Sequence, residues 1–555
     1  MMTKIITKAT TACLLCCNIV AALTACQDNA WDDHYGLADG TSPLNVMQVM
    51  EADANLSRFV AIVKEQHLDT LLSQDQTFTI WAPTNEALAA YATDGQDVDH
   101  LLKNHISRFV YTPSDLTDTT LVRIKMLNGK FQDYQRTTAG YAFASVPVGT
   151  GDQAATNGLV YSLDAVAPFY LNIFETICSS GNQTDSLARY LTAFDEYTFD
   201  RQNSTATGKN ALGQLVYDSV FVYNNAWMRQ FGDIYLEDSV YTVVMPTNTG
   251  WQAGTEAVSP YFRTFGLLEE STVSTISVPT RTYAIGDATA DSLTRAHTQE
   301  AMASNLVFRG RVAVPDGSSS GLDSLVATSG NVVHHPSALF SGATEETVSN
   351  GTVWRTDQWN YQPEDCFLKT IVVEAEDTRG RTDAYANVFS RSASQTTYAD
   401  SVSGQRFIEV NAATTNARTQ PMVQFTIPNT LAAEYDVYVI FAPAEAYVAG
   451  TAADSTRVQF YLNYVHEDGR MHEDAVIAGG VTSGSTMTRM HVGRFKFPYA
   501  NFSDSRFATA TAQDDDCVRL RVQTSVPASE TSKLTRTMRI DCIVFEPVLE
   551  MKNEE

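Results

Sequence analysis

Residues 77–88 read TFTIWAPTNEAL, and residues 240–251 read VYTVVMPTNTGW. In the first, Phe78 and Ile80 alternate with Thr77 and Thr79, a pattern that predicts a half-buried strand. Pro83 has no N–H to give a ladder, so the strand is expected to stop there. Thr84 or Asn85 can then cap a helix over EALAAY. A chain that writes strand, Pro-Thr-Asn and helix twice is expected to hold one folding unit twice.

Three further anchors recur in the same order. PLNVMQVM at 43 matches YLNIFETI at 170, NLSRFVAIV at 55 matches SLARYLTAF at 186, and TNGLVYSLD at 156 matches SNGTVWRTD at 349. Ser42-Pro43 reads as a helix start, with a capping hydroxyl followed by a Pro whose missing N–H would be unpaired anyway. Leu56, Phe59, Val60 and Val63 fall on one helix face. Asn157-Gly158 is a turn dipeptide ahead of the strand LVYSLDAV. The spacing between anchors grows along the chain, so the second copy carries insertions before and after its Pro-Thr-Asn. Loops of that kind cost little closure entropy.

These anchors resemble the fasciclin domain, an α+β wedge of twisted sheet with helices packed at one edge. The family's first block is similar to TFTIWAPTNEAL, its His-containing middle to LLKNHISRFVYTPSDL at 101, and its last to NGLVYSLDAV at 157. In the second copy the middle block reads AMASNLVFRGRVAV, with Asn305 where the first has His105. Some fasciclin domains attach adhesion to a Tyr-His pair at this place. Here the pair is Asn104-His105, and His105 borders the apolar face of Leu102, Ile106 and Phe109, which reads as a hydrogen-bonded structural histidine.

From about residue 371 the texture changes to short alternating strands (RFIEVNA, YDVYVIFAP, VQFYLNYV, CVRLRVQT, MRIDCIVFEPV) separated by Gly, Ser, Asp and Pro, which predicts a β-sandwich. EAE near its start and IDCIVFE near its end resemble the first and last strands of carbohydrate-binding jelly rolls. That resemblance implies a structural Ca²⁺ on Glu374, Glu376 and Asp541, a hard oxygen set; the alternative is two polar edge strands. Glycan binding usually needs aromatic platforms. All six Trp precede residue 360, which leaves Tyr385, Tyr398, Tyr447 and Tyr499 as candidate stacking groups. The fold class expected is two tandem α+β fasciclin-type domains followed by an all-β jelly-roll-like sandwich. The divisions are 1–25 leader, 26–41 acidic linker, 42–170 first domain, 171–370 second domain with insertions, and 371–550 sandwich.

Lys4 and Lys8 precede the apolar run ACLLCCNIVAALTA, which ends at Leu23-Thr24-Ala25-Cys26. This resembles the lipobox of bacterial lipoproteins, in which Cys26 becomes the lipidated first residue; a plain signal peptide is the alternative. QDNAWDDHYG after it resembles the acidic stretches that send some Gram-negative lipoproteins to the outer face of the outer membrane. The membrane partner would be reached through lipid, since no other apolar run is long enough to span. The net charge of -26, with no basic run, argues against nucleic acid as a partner. Cys178, Cys366, Cys517 and Cys542 permit three pairings on an oxidising route, and Cys517 with Cys542 is the candidate pair. Buried free thiols are the alternative.

Signals for catalysis are poor. Gly317-Ser318-Ser319-Ser320-Gly321 fits G-x-S-x-G but lies in a Ser-rich loop, without the strand and helix of a nucleophile elbow. HEDGRMHED at 466 lacks the H-E-x-x-H spacing of a zinc helix and reads as a hairpin tip at Asp468-Gly469. The expected activity is binding without catalysis: adhesion or protein–protein contact through the fasciclin faces, or glycan capture by the jelly roll within a polysaccharide uptake system.

Overall fold

The computed structural model describes residues 43–91, 98–113, 116, 121–149, 153–179, 181, 183–209, 215–218, 220–272, 280–312, 323–334, 336–416, 418–473, 479–501 and 518–549. Two compact units divide them. One holds the residues up to Asn172 with Tyr235–Ser239 and Thr347–Asn350, and the other holds the rest. No helix among the described residues is long and apolar enough to cross a membrane.

The first module contains β1 (Phe78–Pro83), β2 (Ile106–Ser107), β3 (Leu121–Lys125), β4 (Phe131–Thr137), β5 (Gly140–Phe143), β6 (Val146–Pro147), β7 (Gln153–Ala155) and β8 (Gly158–Leu163). Their sheets run β2-β1-β8-β7 and β3-β4-β5-β6. β1 is buried along its whole length rather than on one face. Phe78, Ile80 and Ala82 pack with Phe59, Val60 and Val63 of the helix Ser57–Glu65. On the other side Trp81 stacks on Phe143 at 4.2 Å and packs with Tyr134 and Tyr161. The half-buried strand expected from Thr77 and Thr79 is thereby corrected. Buried Thr79 donates its hydroxyl to the Phe109 carbonyl (2.7 Å) and accepts the Tyr111 N–H (2.9 Å), so the position is polar but satisfied. The first helix also starts later than Ser42-Pro43. It spans Val46–Ala52 with a reciprocal Asn45/Gln48 capping box.

Pro-Thr-Asn ties two helices at once. Thr84 caps the helix Asn85–Ala90, accepting the Ala87 N–H. Asn85 accepts the Arg58 N–H at 2.8 Å and donates to the Ala54 carbonyl and the Ser57 hydroxyl, which pins the start of the preceding helix. The second copy repeats this: Thr247 caps the helix Asn248–Phe262, and Asn248 accepts the Ser186 N–H at 3.0 Å at the start of the helix Asp185–Thr192.

The second module contains β9 (Asp195–Phe199), β10 (Thr205–Lys209), β11 (Leu215–Asp218), β12 (Phe221–Asn225), β13 (Tyr241–Pro246), β14 (Leu268–Thr272), β15 (Thr280–Tyr283), β16 (Val307–Arg309), β17 (Ser324–Val326), β18 (Val332–His334), β19 (Thr344–Val348) and β20 (Gly351–Thr356). Its sheet order β16-β13-β20-β19 repeats β2-β1-β8-β7. The central parallel pairs share one register, Phe78↔Gly158 in the first copy and Tyr241↔Gly351 in the second. A Cβ on Gly158 or Gly351 would lie 1.9 Å from the carbonyl oxygen of Phe78 or Tyr241, so glycine is required at both. The insertion before the second Pro-Thr-Asn forms a two-stranded ribbon, β9 with β12 and β10 with β11.

The C-terminal region contains β21 (Ile371–Glu374), β22 (Arg381–Ala384), β23 (Ala386–Ser392), β24 (Arg406–Ala412), β25 (Met422–Ile427), β26 (Glu434–Phe441), β27 (Arg457–Val465), β28 (Arg470–Glu473), β29 (Gly479–Val481), β30 (Thr488–Lys496), β31 (Val518–Thr524) and β32 (Met538–Pro547). One sheet runs β23-β24-β32-β26-β30, with β21 also on β32. The other runs β14-β15-β28-β27-β31-β25-β22, with β29 on β27. Tyr435, Val437, Val439 and Phe441 alternate inward along β26, and Phe441 meets Phe460 of the other sheet at 6.5 Å. β14 and β15 come from the second module, and β15 joins β28 through Arg281↔Met471 and Thr282↔Arg470. A small core of Phe265, Tyr283, Val465, Met471 and Tyr499 seals this junction.

Candidate functional site

Two of the three acidic residues, Glu374 and Asp541, lie close together. β32 is paired by β24 along Met538–Ile540 and by β21 along Cys542–Phe545, so Asp541 sits where one neighbour leaves and the other begins. The oxygens of Glu374 and Asp541 and the Cys542 sulfur lie within 4.8 Å of one another. Ser403 organises the cluster. Its N–H donates to both Asp541 oxygens (3.1 and 3.3 Å), and its hydroxyl donates to Glu374 Oε1 at 2.5 Å. Burial raises the Asp541 carboxyl to about 7, against the Ser403 N–H and with the help of Glu374 and Glu376. Burial also raises Glu376, with Glu374 adding to it. Glu374 Oε2 and Glu376 Oε2 are buried without a partner among the described residues. Orphaned carboxylate oxygens beside a buried carboxylate suit a hard cation. Glu374, Glu376 and Asp541 would hold Ca²⁺, which would offset their mutual repulsion.

Near them the outer face of the β23-β24-β32 sheet carries Phe389 and Arg391, which pattern reading missed, beside the candidate Tyr447. The Arg391 guanidinium lies over the ring of Phe389 at 5.0 Å and that of Tyr447 at 4.6 Å. It donates to Glu409 (2.8 Å), which also accepts from Arg539 (3.1 Å), and Arg539 is held by Asp454 (2.6 Å). Phe389 and Tyr447 are exposed, so the face offers aromatic surface beside fixed donors. Phe389 and Glu409 are cross-strand partners, a relation that becomes visible only once β23 and β24 are in register.

The four candidate tyrosines part company. Tyr447 belongs to this face. Tyr385 is exposed at a positive φ of 57° between β22 and β23. Tyr398 is half-buried against Phe407 and Ala446, with its hydroxyl on the Ser485 carbonyl at 2.6 Å. Tyr499 is buried in the junction core under Arg263, so it cannot stack on a ligand, which corrects that expectation. Cys542 carries a buried free thiol, raised to about 12 by burial and then by its carboxylate neighbours; its candidate partner Cys517 lies outside the described residues, as does Cys26. The G-x-S-x-G stretch also lies outside them. The described part of HEDGRMHED, residues 466–473, lies in the β27–β28 hairpin, where the rings of His466 and His472 stack at 3.7 Å.

His105 is fully buried. Its Nδ1 bonds the Leu101 carbonyl at 2.7 Å, and its Nε2 accepts the Ala167 N–H at 2.9 Å. Asn305 of the second module keeps the first of these bonds, donating to the Ala301 carbonyl four residues back at 2.8 Å. Both are clasps within their modules.

The fasciclin domain family model matches residues 54–167. Transforming growth factor-beta-induced protein ig-h3 of Oryctolagus cuniculus is 29% identical over 129 residues, 22% of this chain and 19% of that protein. The Sus scrofa protein of the same name is 27% identical over 135 residues, 23% and 20% respectively. This chain thus spans about a fifth of the length of the curated relatives it matches. Among solved structures, the FAS1 domain pair of the insect cell adhesion molecule Fasciclin I is 14% identical, covering 56% of this chain and 98% of that one, with a TM-score of 0.20. The C-terminal family 22 carbohydrate-binding module of Clostridium thermocellum Xyn10B is 16% identical, covering 31% and 91%, with a TM-score of 0.19. The architecture therefore rests on the chain's own strand pairings and on the family match. Residues 54–167 are a fasciclin domain.

Proposed function

We propose that this protein is a non-catalytic lipoprotein, held on the outer face of a Gram-negative outer membrane by lipid on Cys26, that acts in adhesion or protein–protein contact through its fasciclin modules. The ribbon of the second module is the observation that supports contact. Tyr197 faces Tyr223 and Phe199 faces Phe221 across β9 and β12, and Tyr197 and Phe221 are 66% and 55% exposed. Exposed aromatic rings on two strands gain little from folding alone and are the side chains that anchor protein interfaces. Tyr197→Ser with Phe221→Ser, in intact cells, is expected to abolish adhesion while the thermal melt of the purified chain stays unchanged. Adhesion at the wild-type level would end this reading. For the anchor, Cys26→Ala is expected to move the chain from the membrane pellet to the soluble fraction; a variant that still pellets contradicts it.

The Phe389–Arg391–Tyr447 face favours a second reading, glycan capture by the sandwich within a polysaccharide uptake system, with Ca²⁺ on the acidic cluster as a structural ion. The test is a glycan array on the full chain with and without Ca²⁺, in parallel with Arg391→Ala. No signal in any arm removes this reading.

A further inference from the structure

We propose that the second fasciclin module carries a binding pocket for one primary alkylammonium group, between β18 and the helices Pro336–Leu339 and Pro363–Cys366. This goes beyond the reading above, which places contacts on the ribbon and on the sandwich. The cavity measures about 320 Å³, inside the range of small-ligand sites of about 300–1,000 Å³. Val333, Ala338 and Leu339 give it an apolar side, and Asn360, Glu364 and Asp365 give it a polar one. Asp365 is 4% exposed, and its Oδ2 accepts the main-chain N–H of His334, another wall residue, at 3.0 Å. That bond holds the buried carboxylate at the wall and ties the helix Pro363–Cys366 to β18.

The ligand class follows from which polar groups the wall leaves open. Its amide donors are turned onto the protein. Asn360 Nδ2 donates to the Leu339 and Ser341 carbonyls (3.4 and 3.1 Å), and Gln362 Nε2 donates to the Asn360 carbonyl (3.4 Å). Its acceptors are not so used: Asp365 Oδ1, Asn360 Oδ1 and the exposed Glu364 carboxylate have no partner among the described residues. Neither Asp365 Oδ1 nor Asn360 Oδ1 is among the sealed, unpartnered polar atoms, so both keep surface to offer a guest. A wall of open oxygens calls for a guest that only donates, and an ammonium group has three donors and no acceptor. Two carboxylates line the cavity and no Lys or Arg does, which favours positive charge. Lys369 is spent elsewhere, with its Nζ on the main-chain carbonyls of Glu364 and Asp365 at 2.6 Å each. A metal ion needs converging ligands, and among the described residues the set of three that converges is Glu374, Asp541 and Cys542. An anion meets both carboxylates. A guanidinium is held best by a carboxylate with both oxygens free, and Asp365 has given one to His334. Val333, Ala338 and Leu339 suit the methylenes behind an ammonium. The same group ends a free diamine and a lysine side chain.

Saturation-transfer NMR and calorimetry on the full chain, at about 0.15 M salt to screen distant charges, provide the test. The probes are cadaverine, Nα-acetyl-lysine methylamide, the Nε-acetylated form of that amide, and a pentapeptide with one lysine between glycines. Cadaverine or the lysine amide is expected to bind with a millimolar or tighter Kd. The Nε-acetylated form keeps the methylenes and loses the charge, and it is expected to bind about tenfold more weakly or not at all. Asp365→Asn, which keeps an acceptor for His334, and Glu364→Gln on the surface are each expected to weaken binding about fivefold or more. Ala338→Trp, at an exposed helix position, is expected to fill the cavity and abolish binding. Glu65→Gln, which removes one exposed charge from the first module, is expected to change nothing. If Asp365→Asn lowers the melting temperature, Glu364→Gln and Ala338→Trp carry the test. Binding of the pentapeptide supports a protein lysine as the guest, and binding of cadaverine alone supports a free amine. No binding by any amine, equal binding of the Nε-acetylated form, binding indifferent to the pocket variants, or an equal loss in Glu65→Gln would each overturn the proposal.

Discussion

The Nε2 of His105 accepts the main-chain N–H of Ala167 at 2.9 Å, while its other ring nitrogen meets the Leu101 carbonyl at 2.7 Å. Only the neutral ring with hydrogen on Nδ1 serves both. Burial holds its pKa down to about 4, although the Leu101 carbonyl works in the opposite direction. The unfolded chain takes up a proton near pH 6.5 that the folded one refuses until about pH 4. Stability is therefore full above pH 6.5 and is lost as the pH falls from there towards 4, by roughly 3 kcal/mol at most. Urea unfolding of the first module at pH 7 and pH 4.5 should show this loss, and His105→Gln should remove most of the difference. An unchanged pH slope in that variant would assign the loss to other groups.

Asn157 is the other tie of the first module. Its side chain accepts the Val46 N–H (2.8 Å) and donates to the Leu72 and Gln74 carbonyls (3.0 and 2.8 Å). Asn157→Ala is expected to cost about 3 kcal/mol, at about 1 kcal/mol per bond. Gly158→Ala should cost more, because its Cβ would strike the Phe78 carbonyl. Chemical denaturation measures both, and a folded Gly158→Ala of wild-type stability would contradict the observed register.

The acidic cluster predicts an inverse pH dependence. Asp541 titrates near 7 when folded and near 3.8 when unfolded, so without a divalent ion the folded chain gains stability as the pH falls from 7 towards 4. Ca²⁺ bound at the cluster would compete with that proton. It should add about 2.7 kcal/mol at one hundred times its Kd, with a larger shift in melting temperature at pH 8 than at pH 5. Asp541→Asn should remove the calcium response. Equal calcium shifts at both pH values would count against ligation by Asp541.

At the junction core, Phe265→Ala is expected to cost about 3–5 kcal/mol and to reach both sides. Hydrogen exchange should speed up in β28 and in the helix Ala288–Ala303 together. A fragment of residues 371–555 should be less stable than the sandwich in the full chain, because Met471 and Tyr499 lose Phe265 and Tyr283. Protection confined to one side in the Phe265 variant would mean the two parts unfold independently.

What could be read from sequence was what neighbours in sequence decide. Pro83 ends β1, Thr84 caps the next helix, and Leu56, Phe59, Val60 and Val63 face inward because strand, cap and helix periods are local. Thr79 misled because its burial depends on the segment after β2, which supplies the Phe109 and Tyr111 partners. Tyr499 misled for a similar reason: Phe265 and Tyr283, which bury it together with Val465 and Met471, are far from it in sequence. Glu374, Glu376 and Asp541 were legible through a resemblance at the two ends of the sandwich. Ser403, which joins two of them, sits in an unremarked turn. The cavity lined by His334 and Asp365 joins positions 31 residues apart, and no spacing rule connects them.

The pairing of β15 with β28 also constrains how such a chain can evolve. A gene segment that ends after β20 carries away two strands belonging to the sandwich sheet, and one that starts at β21 arrives without them. Exchange of the sandwich between proteins must bring the β14–β15 hairpin along, and that hairpin sits inside the fasciclin module. The heritable block is therefore the pair, and relatives that acquired the sandwich by recombination should carry the same insertion ahead of the helix Ala288–Ala303.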